Sequence, residues 1–336
     1  MKHRLLAVCT LSALALTACG GAGGSATSTS AAGGGPAGAG AGAGGKVGVV
    51  ASFYPLEFAV RQIGGDHVDV TNLTRPGEEP HELELKPQDV AAVSKAQVAV
   101  YEKGLQPAVD DAVKPLGDKA LDVATAANLT LEAPAEGEEH QDAQASSAGA
   151  TPDAHAHAHE QGARQDPHFW LDPQRYATVA EAIAARLATT DPAHKADYDK
   201  NLASFKERLT ALDTSFATHL KTCTTKQLVT SHAAFGYLAQ RYGLTQVPIS
   251  GISPEEEPDP AKLAKVAAFA KANKISTIYA ETLVSKATAE TVAKETGATV
   301  AVLDPIEGIT DTSAGKDYLE VMAANLATLQ KGQSCQ

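Results

Sequence analysis

The sequence predicts an α/β protein made of two similar α/β lobes with mostly parallel sheets, joined by a long rigid helix. Three observations lead there. Short β-branched runs alternate with amphipathic runs over residues 47–123 and again over 227–331. That alternation is the pattern of βαβ units, whose strands lie parallel. Between the two regions, Tyr198, Leu202, Phe205, Leu209, Leu212 and Phe216 recur at spacings of three and four, which marks one amphipathic helix. The length of 336 residues suits about two domains.

The elements follow in order. Lys2 and Arg4 form a basic start, and Leu5 to Leu16 an apolar core of signal-peptide length, too short to span a bilayer. Residues 1–18 are therefore read as a signal peptide. It ends in Leu16-Thr17-Ala18-Cys19, which resembles a bacterial lipobox; that signal implies lipid on Cys19. Residues 19–45 are nearly all Gly, Ala, Ser and Thr. Such a segment cannot bury enough apolar surface to fold and reads as a disordered tether. The chain is thus expected to be extracytoplasmic and lipid-anchored to the cell membrane. Two cysteines remain for the folded part, Cys223 and Cys335. An even pair in an oxidising compartment predicts a disulfide, with a Cys–Cys metal site as the alternative.

The N-terminal lobe is assigned to 46–190. Val47 to Ala51, His67 to Leu73, Gln97 to Tyr101 and Ala120 to Val123 read as strands. Pro55 to Ile63, Pro87 to Lys95 and Leu105 to Lys114 read as helices. Residues 132–165 lose all hydrophobic period and are rich in Glu, Asp, Gln, Ala and Gly. This stretch is read as a disordered loop. It carries His140, His155, His157 and His159 among acidic residues, a composition that holds metal weakly without fixed geometry. Arg175 to Ala188 is helical, and 191–221 is the linking helix. The C-terminal lobe, 222–336, repeats the rhythm. Strands are expected at Gln227 to Thr230, Thr245 to Ile249, Thr277 to Tyr279 and Thr299 to Leu303. One helix is expected to open over Ser231 to Tyr237, and others to run from Ala261 to Ala272, Lys286 to Thr296 and Lys316 to Lys331.

The chemistry gathers in a few places. Asp166-Pro167-His168-Phe169-Trp170-Leu171-Asp172-Pro173 fixes a histidine between two Asp-Pro pairs. Proline pins φ and pushes the preceding residue toward extended geometry, so the ring is presented in one direction. The same stretch is a helix start, with Asp172 as cap and Pro173 in the first turn. His81 lies in the loop after the second strand, His232 follows a strand, and Glu281 ends one. In open α/β sheets ligands gather at the carboxyl ends of strands. Two facing lobes would bring His81, His168, His232 and Glu281 into one interlobe cleft. Three imidazoles and a carboxylate suit Zn(II) better than manganese, which wants more oxygen ligands. The formal charge of −12 argues against a nucleic-acid partner. Neither HExxH nor G-x-S-x-G is present, so a binding protein is favoured over an enzyme; a zinc-dependent enzyme and a surface adhesin are the rival classes.

The motifs Pro80-His81 with Leu85-Lys86-Pro87-Gln88-Asp89, the 166–173 stretch, Ser231-His232-Ala233-Ala234-Phe235-Gly236-Tyr237, Ile278-Tyr279-Ala280-Glu281 and Leu303-Asp304-Pro305-Ile306 resemble the zinc-type solute-binding lipoproteins of metal ABC importers, cluster A-I. The likeness runs from Val47 to Leu329. It implies two lobes with zinc between them, His81, His168, His232 and Glu281 as ligands, and delivery of zinc by a monomer to a cognate ABC permease. For the fourth ligand, Glu79, Asp304 and a water compete with Glu281. Manganese or another divalent metal is the alternative cargo.

Overall fold

A computed structural model describes residues 45–133, 165–256 and 258–336. Cys19, His140, His155, His157 and His159, with nearly all of the tether and the His-rich loop, lie outside the described residues.

The first sheet is formed by β1 (Val47–Ala51), β2 (Val68–Asn72), β3 (Val98–Tyr101) and β4 (Ala120–Asp122). Around it run α1 (Tyr54–Gly64), α2 (Pro87–Lys95), α3 (Pro107–Val113) and the short α4 (Ala124–Ala127). After α5 (Pro173–Thr190) and α6 (Lys195–Leu220), the second sheet is formed by β5 (Gln227–Thr230), β6 (Thr245–Pro248), β7 (Thr277–Ala280) and β8 (Thr299–Val302). Its helices are α7 (Gly236–Tyr242), α8 (Pro260–Ala272), α9 (Ala287–Thr296) and α10 (Tyr318–Gly332). All pairings are parallel. The strand orders are β2-β1-β3-β4 and β6-β5-β7-β8, one topology used twice.

The repetition holds residue by residue at the strand ends. Ser52 N donates to Val100 O, and Ser231 N to Tyr279 O; Leu73 N donates to Ala51 O, and Ile249 N to Thr230 O; Val123 N donates to Tyr101 O, and Leu303 N to Ala280 O. Ser52 therefore corresponds to Ser231, and Phe53 to His232. By the same count Glu102 matches Glu281, two residues beyond Val100 and Tyr279 respectively.

The 26 residues of α6 extend about 39 Å at 1.5 Å per residue. Tyr198, Phe205, Leu209, Phe216 and Leu220 form its buried stripe. Phe205 meets Phe58 of α1 and Tyr176 of α5 edge-on, and Tyr176 meets Tyr318 of α10. One continuous apolar core thus runs from β1 through α5 and α6 to α10. Cys223, just past α6, is joined to Cys335 by a disulfide, so the tail after α10 is tied to the start of the second sheet. No helix among the described residues is long and apolar enough to cross a membrane.

One stretch departs from the sequence expectation. Helix α7 begins at Gly236 and leaves Ser231 to Phe235 irregular. The backbone there bonds elsewhere: Ala233 N donates to Gly251 O, Thr230 Oγ1 donates to His232 O at 2.7 Å, and Gln246 Nε2 to the same oxygen at 3.0 Å. Those bonds hold His232 on a turn at the sheet end.

Candidate metal centre

Four segments at the carboxyl ends of the two sheets meet. His81 comes from the β2–α2 segment, His168 from the segment before α5, His232 from the β5–α7 turn, and Glu307 from the β8–α10 segment. All four are buried, and one ligand atom from each lies within 4.8 Å of the others. A single oxygen, Glu307 Oε1, lies 3.3 Å from His81 Nε2, 3.2 Å from His168 Nε2 and 3.5 Å from His232 Nε2. Metal–ligand bonds of about 2.0–2.2 Å at tetrahedral angles separate ligand atoms by about 3.4 Å. The three separations match a tetrahedral edge. His232 Nε2 and Glu307 Oε2 make no hydrogen bond among the described residues. Buried polar atoms rarely go unpartnered, and a cation would satisfy both.

Each side chain is held differently. Asp166 Oδ1 accepts from both the backbone N (2.9 Å) and Nδ1 (2.8 Å) of His168. Asp172 caps α5 by accepting from Gln174 N, with Pro173 in the first turn, so the helix start anchors the histidine stretch as the sequence suggests. His232 donates from Nδ1 to Glu281 Oε1 at 2.6 Å. His81 Nδ1 has no partner among the described residues. Glu307 follows Ile306, whose φ of +61° is left-handed, a costly conformation for a β-branched residue. The surroundings impose it: Ile306 N donates to Asp304 Oδ1 at 2.8 Å, Asn325 Nδ2 to Asp304 O at 2.7 Å, and Trp170 Nε1 to Pro305 O at 2.7 Å. The single tryptophan therefore ties the His168 stretch to the loop that aims Glu307.

The structure groups a different carboxylate with the three histidines from the one the sequence suggested. Glu281 does end a strand near His232, but its carboxyl faces Nδ1, on the side of the ring away from the other three ligands. Glu307 is the carboxylate that clusters with the three histidines. Glu79 is spent on the backbone N atoms of His81 and Glu82. Burial and repulsion by Glu307 raise its pKa to about 8. Asp304 caps the Ile306 turn, and burial raises its pKa to about 6. The signal for Glu307 was its place just past Leu303-Asp304-Pro305-Ile306, a motif already singled out.

Burial and charge compete at each of these side chains. Burial pulls the His232 pKa down, but the Glu281 and Glu307 carboxylates outweigh it and leave it well above the ordinary value. Burial likewise opposes protonation of His168, and hydrogen bonds to Asp166 and Glu307 leave its pKa raised. For His81 burial wins and the pKa is lowered. Burial disfavours the Glu307 carboxylate, yet hydrogen bonds from His168 and His81 and the nearby His232 imidazole hold its pKa well below the usual range.

Comparison with known proteins supplies the context. A family model described as zinc-uptake complex component A, periplasmic, matches residues 49–332. The chain is 38% identical over 292 residues to the zinc-binding lipoprotein AdcA of Streptococcus pneumoniae, covering 85% of this chain and 56% of that protein. The chain thus spans little more than half the length of that relative. It is 37% identical over 289 residues to the high-affinity zinc uptake system protein ZnuA of Bacillus subtilis, covering 85% and 87% of the two. Among solved structures, the Zn(II)-bound ZnuA-like domain of S. pneumoniae AdcA aligns with a TM-score of 0.68 at 35% identity, covering 86% and 99%. The laminin-binding protein Lmb of Streptococcus agalactiae, described as having adhesin and metal transporting activity, aligns with a TM-score of 0.72 at 32% identity, covering 86% and 100%.

Proposed function

The chain belongs to the periplasmic zinc-uptake component A family, and from that premise we propose that it is an extracytoplasmic Zn(II)-binding protein that hands its cargo to an ABC permease. The observation that carries the reading is one buried carboxylate oxygen set at tetrahedral-edge distances from three imidazole Nε2 atoms. His81, His168, His232 and Glu307 are the ligands. Four ligands of this kind complete a tetrahedral zinc shell and leave no position for a substrate water, which separates a carrier from a zinc hydrolase. Three nitrogens to one carboxylate also favour zinc over manganese.

The anchoring scheme completes the proposal. Cys19 carries lipid, residues 19–45 tether the folded part to the membrane face, and the protein acts as a monomer. His140, His155, His157 and His159 raise the local metal concentration near Asp166 and His168. Because α6 packs its buried stripe into one continuous core, release proceeds by rearrangement of the ligand-bearing segments rather than by wide opening of the lobes. Titrating the metal-free mature chain with zinc against a chromophoric chelator tests this. One tight equivalent is expected, and it disappears in His168→Ala. Tight binding that survives His168→Ala contradicts the assignment.

A further inference from the structure

We propose that Glu281, gripped by Ser231, is the positioning residue that makes His232 a zinc ligand; the proposal rests on the zinc-carrier reading above and goes beyond the ligand set. Glu281 is 2% exposed. Its Oε1 accepts from Ser231 Oγ and, at 2.6 Å, from His232 Nδ1. A neutral imidazole that donates from Nδ1 presents its lone pair at Nε2, and here Nε2 faces Glu307 Oε1 at 3.5 Å. A carboxylate on the far nitrogen fixes the tautomer, locks the ring plane and raises the basicity of the ligating nitrogen.

The bland alternative is that Ser231 and Glu281 form a clasp closing the ends of β5 and β7, indifferent to the histidine. The other lobe answers it. Ser52 and Glu102 occupy the same register at the ends of β1 and β3, with Phe53 in the place of His232. There the clasp does not form: Ser52 Oγ and both carboxyl oxygens of Glu102 make no hydrogen bond among the described residues. Burial, then repulsion from Asp166, raises the Glu102 pKa well above the carboxylate range. The same serine and glutamate at the same two positions close on each other only where an imidazole stands between them and the metal centre. The pairing is built around the ring, and the sheet ends close without it.

Glu102 supplies a matched control. Zinc affinity is measured by chelator competition for the wild type, Glu281→Gln, Ser231→Ala and Glu102→Gln. The Nδ1 and Nε2 resonances of His232 are read by long-range ¹H–¹⁵N spectra of the zinc-loaded proteins. Glu281→Gln should weaken zinc by about 10–100-fold, Ser231→Ala by less, and Glu102→Gln by less than about twofold. The wild type should show His232 protonated at Nδ1 and metallated at Nε2. Equal losses in Glu281→Gln and Glu102→Gln, an unchanged Glu281→Gln, or metal on Nδ1 would overturn the proposal. Should Glu281→Gln not fold, the His232 tautomer in the wild type and in Ser231→Ala decides the matter alone. Wild-type protein that bound no zinc would overturn the carrier reading and this proposal together. Tight wild-type binding with Glu281→Gln unchanged would overturn this proposal only.

Discussion

Two groups of histidines in this molecule use the same residue types to opposite effect. At the sheet ends, His81, His168 and His232 are buried and point Nε2 at one carboxylate oxygen. At the other group, His67 and His194 stack face to face with ring centroids 3.9 Å apart. Asp197 caps His67 at 3.0 Å and Asp191 caps His194 at 2.6 Å. These two rings are about one-third exposed and join no cluster of three ligand atoms among the described residues. A histidine count with nearby acids does not make a metal centre. Convergence does, and here convergence comes from turns at strand ends that hold each ring by its far nitrogen or its backbone.

The largest expected effect tests that contrast directly. His232→Ala or His168→Ala should weaken zinc by more than about 100-fold, since losing a ligand costs more than losing its supporting partner. The double variant His67→Ala, His194→Ala should leave zinc affinity within about twofold, because those rings offer no convergent site. A large loss in the double variant would erase the distinction.

The next effect separates Glu307 from Glu281. Glu307→Gln removes the carboxylate from the tetrahedron and should weaken zinc more than Glu281→Gln does. The reverse order, measured by the same chelator competition, would restore the ligand set read from the sequence. The sequence pointed to Glu281 for a physical reason. Glu281 directly follows β7, so strand periodicity alone locates it, and it does lie at His232. Glu307 sits five residues beyond β8, after a turn that needs Ile306 left-handed and Asp304, Asn325 and Trp170 as struts. Those are tertiary contacts that local pattern does not encode. The histidines were legible because prolines and strand ends place them. The α/β repeat was legible because β-branched runs and Gly or Pro punctuation mark each strand. The late start of α7 was not, since the bonds that hold Ser231 to Phe235 out of the helix come from Gly251 and Gln246.

A smaller effect is graded by pH. His168 and His232 have raised pKa values in the metal-free protein. Their contribution to metal-free stability is therefore present below the unfolded value of about 6.5 and lost as pH rises through the raised values. The depressed pKa of Glu307 contributes stability above the ordinary carboxylate value, lost as pH falls through the depressed one. Zinc must displace the imidazole protons. The rise in melting temperature on adding zinc should thus be greater at pH 8 than at pH 6, and zinc loading near pH 7 should release protons, readable by calorimetry in buffers of different ionisation enthalpy. A zinc-induced shift independent of pH would contradict imidazole ligation.

The smallest effect on the metal should come from the Cys223–Cys335 disulfide. It closes a loop of 112 residues, and a cross-link of that span stabilises by about 2–5 kcal/mol. Reduction should lower the melting temperature while leaving zinc affinity within about twofold, because neither cysteine joins the ligand cluster. Loss of zinc in parallel with the melting temperature, followed by titration under reductant, would tie the tail to the site.

The most direct test is zinc K-edge X-ray absorption on the chain loaded with one equivalent. The account predicts three imidazole nitrogens and one carboxylate oxygen at about 2.0–2.2 Å, with the oxygen scatterer lost or replaced in Glu307→Gln and kept in Glu281→Gln. A first shell with two or fewer imidazoles, with sulfur, or with an oxygen that disappears in Glu281→Gln would contradict it.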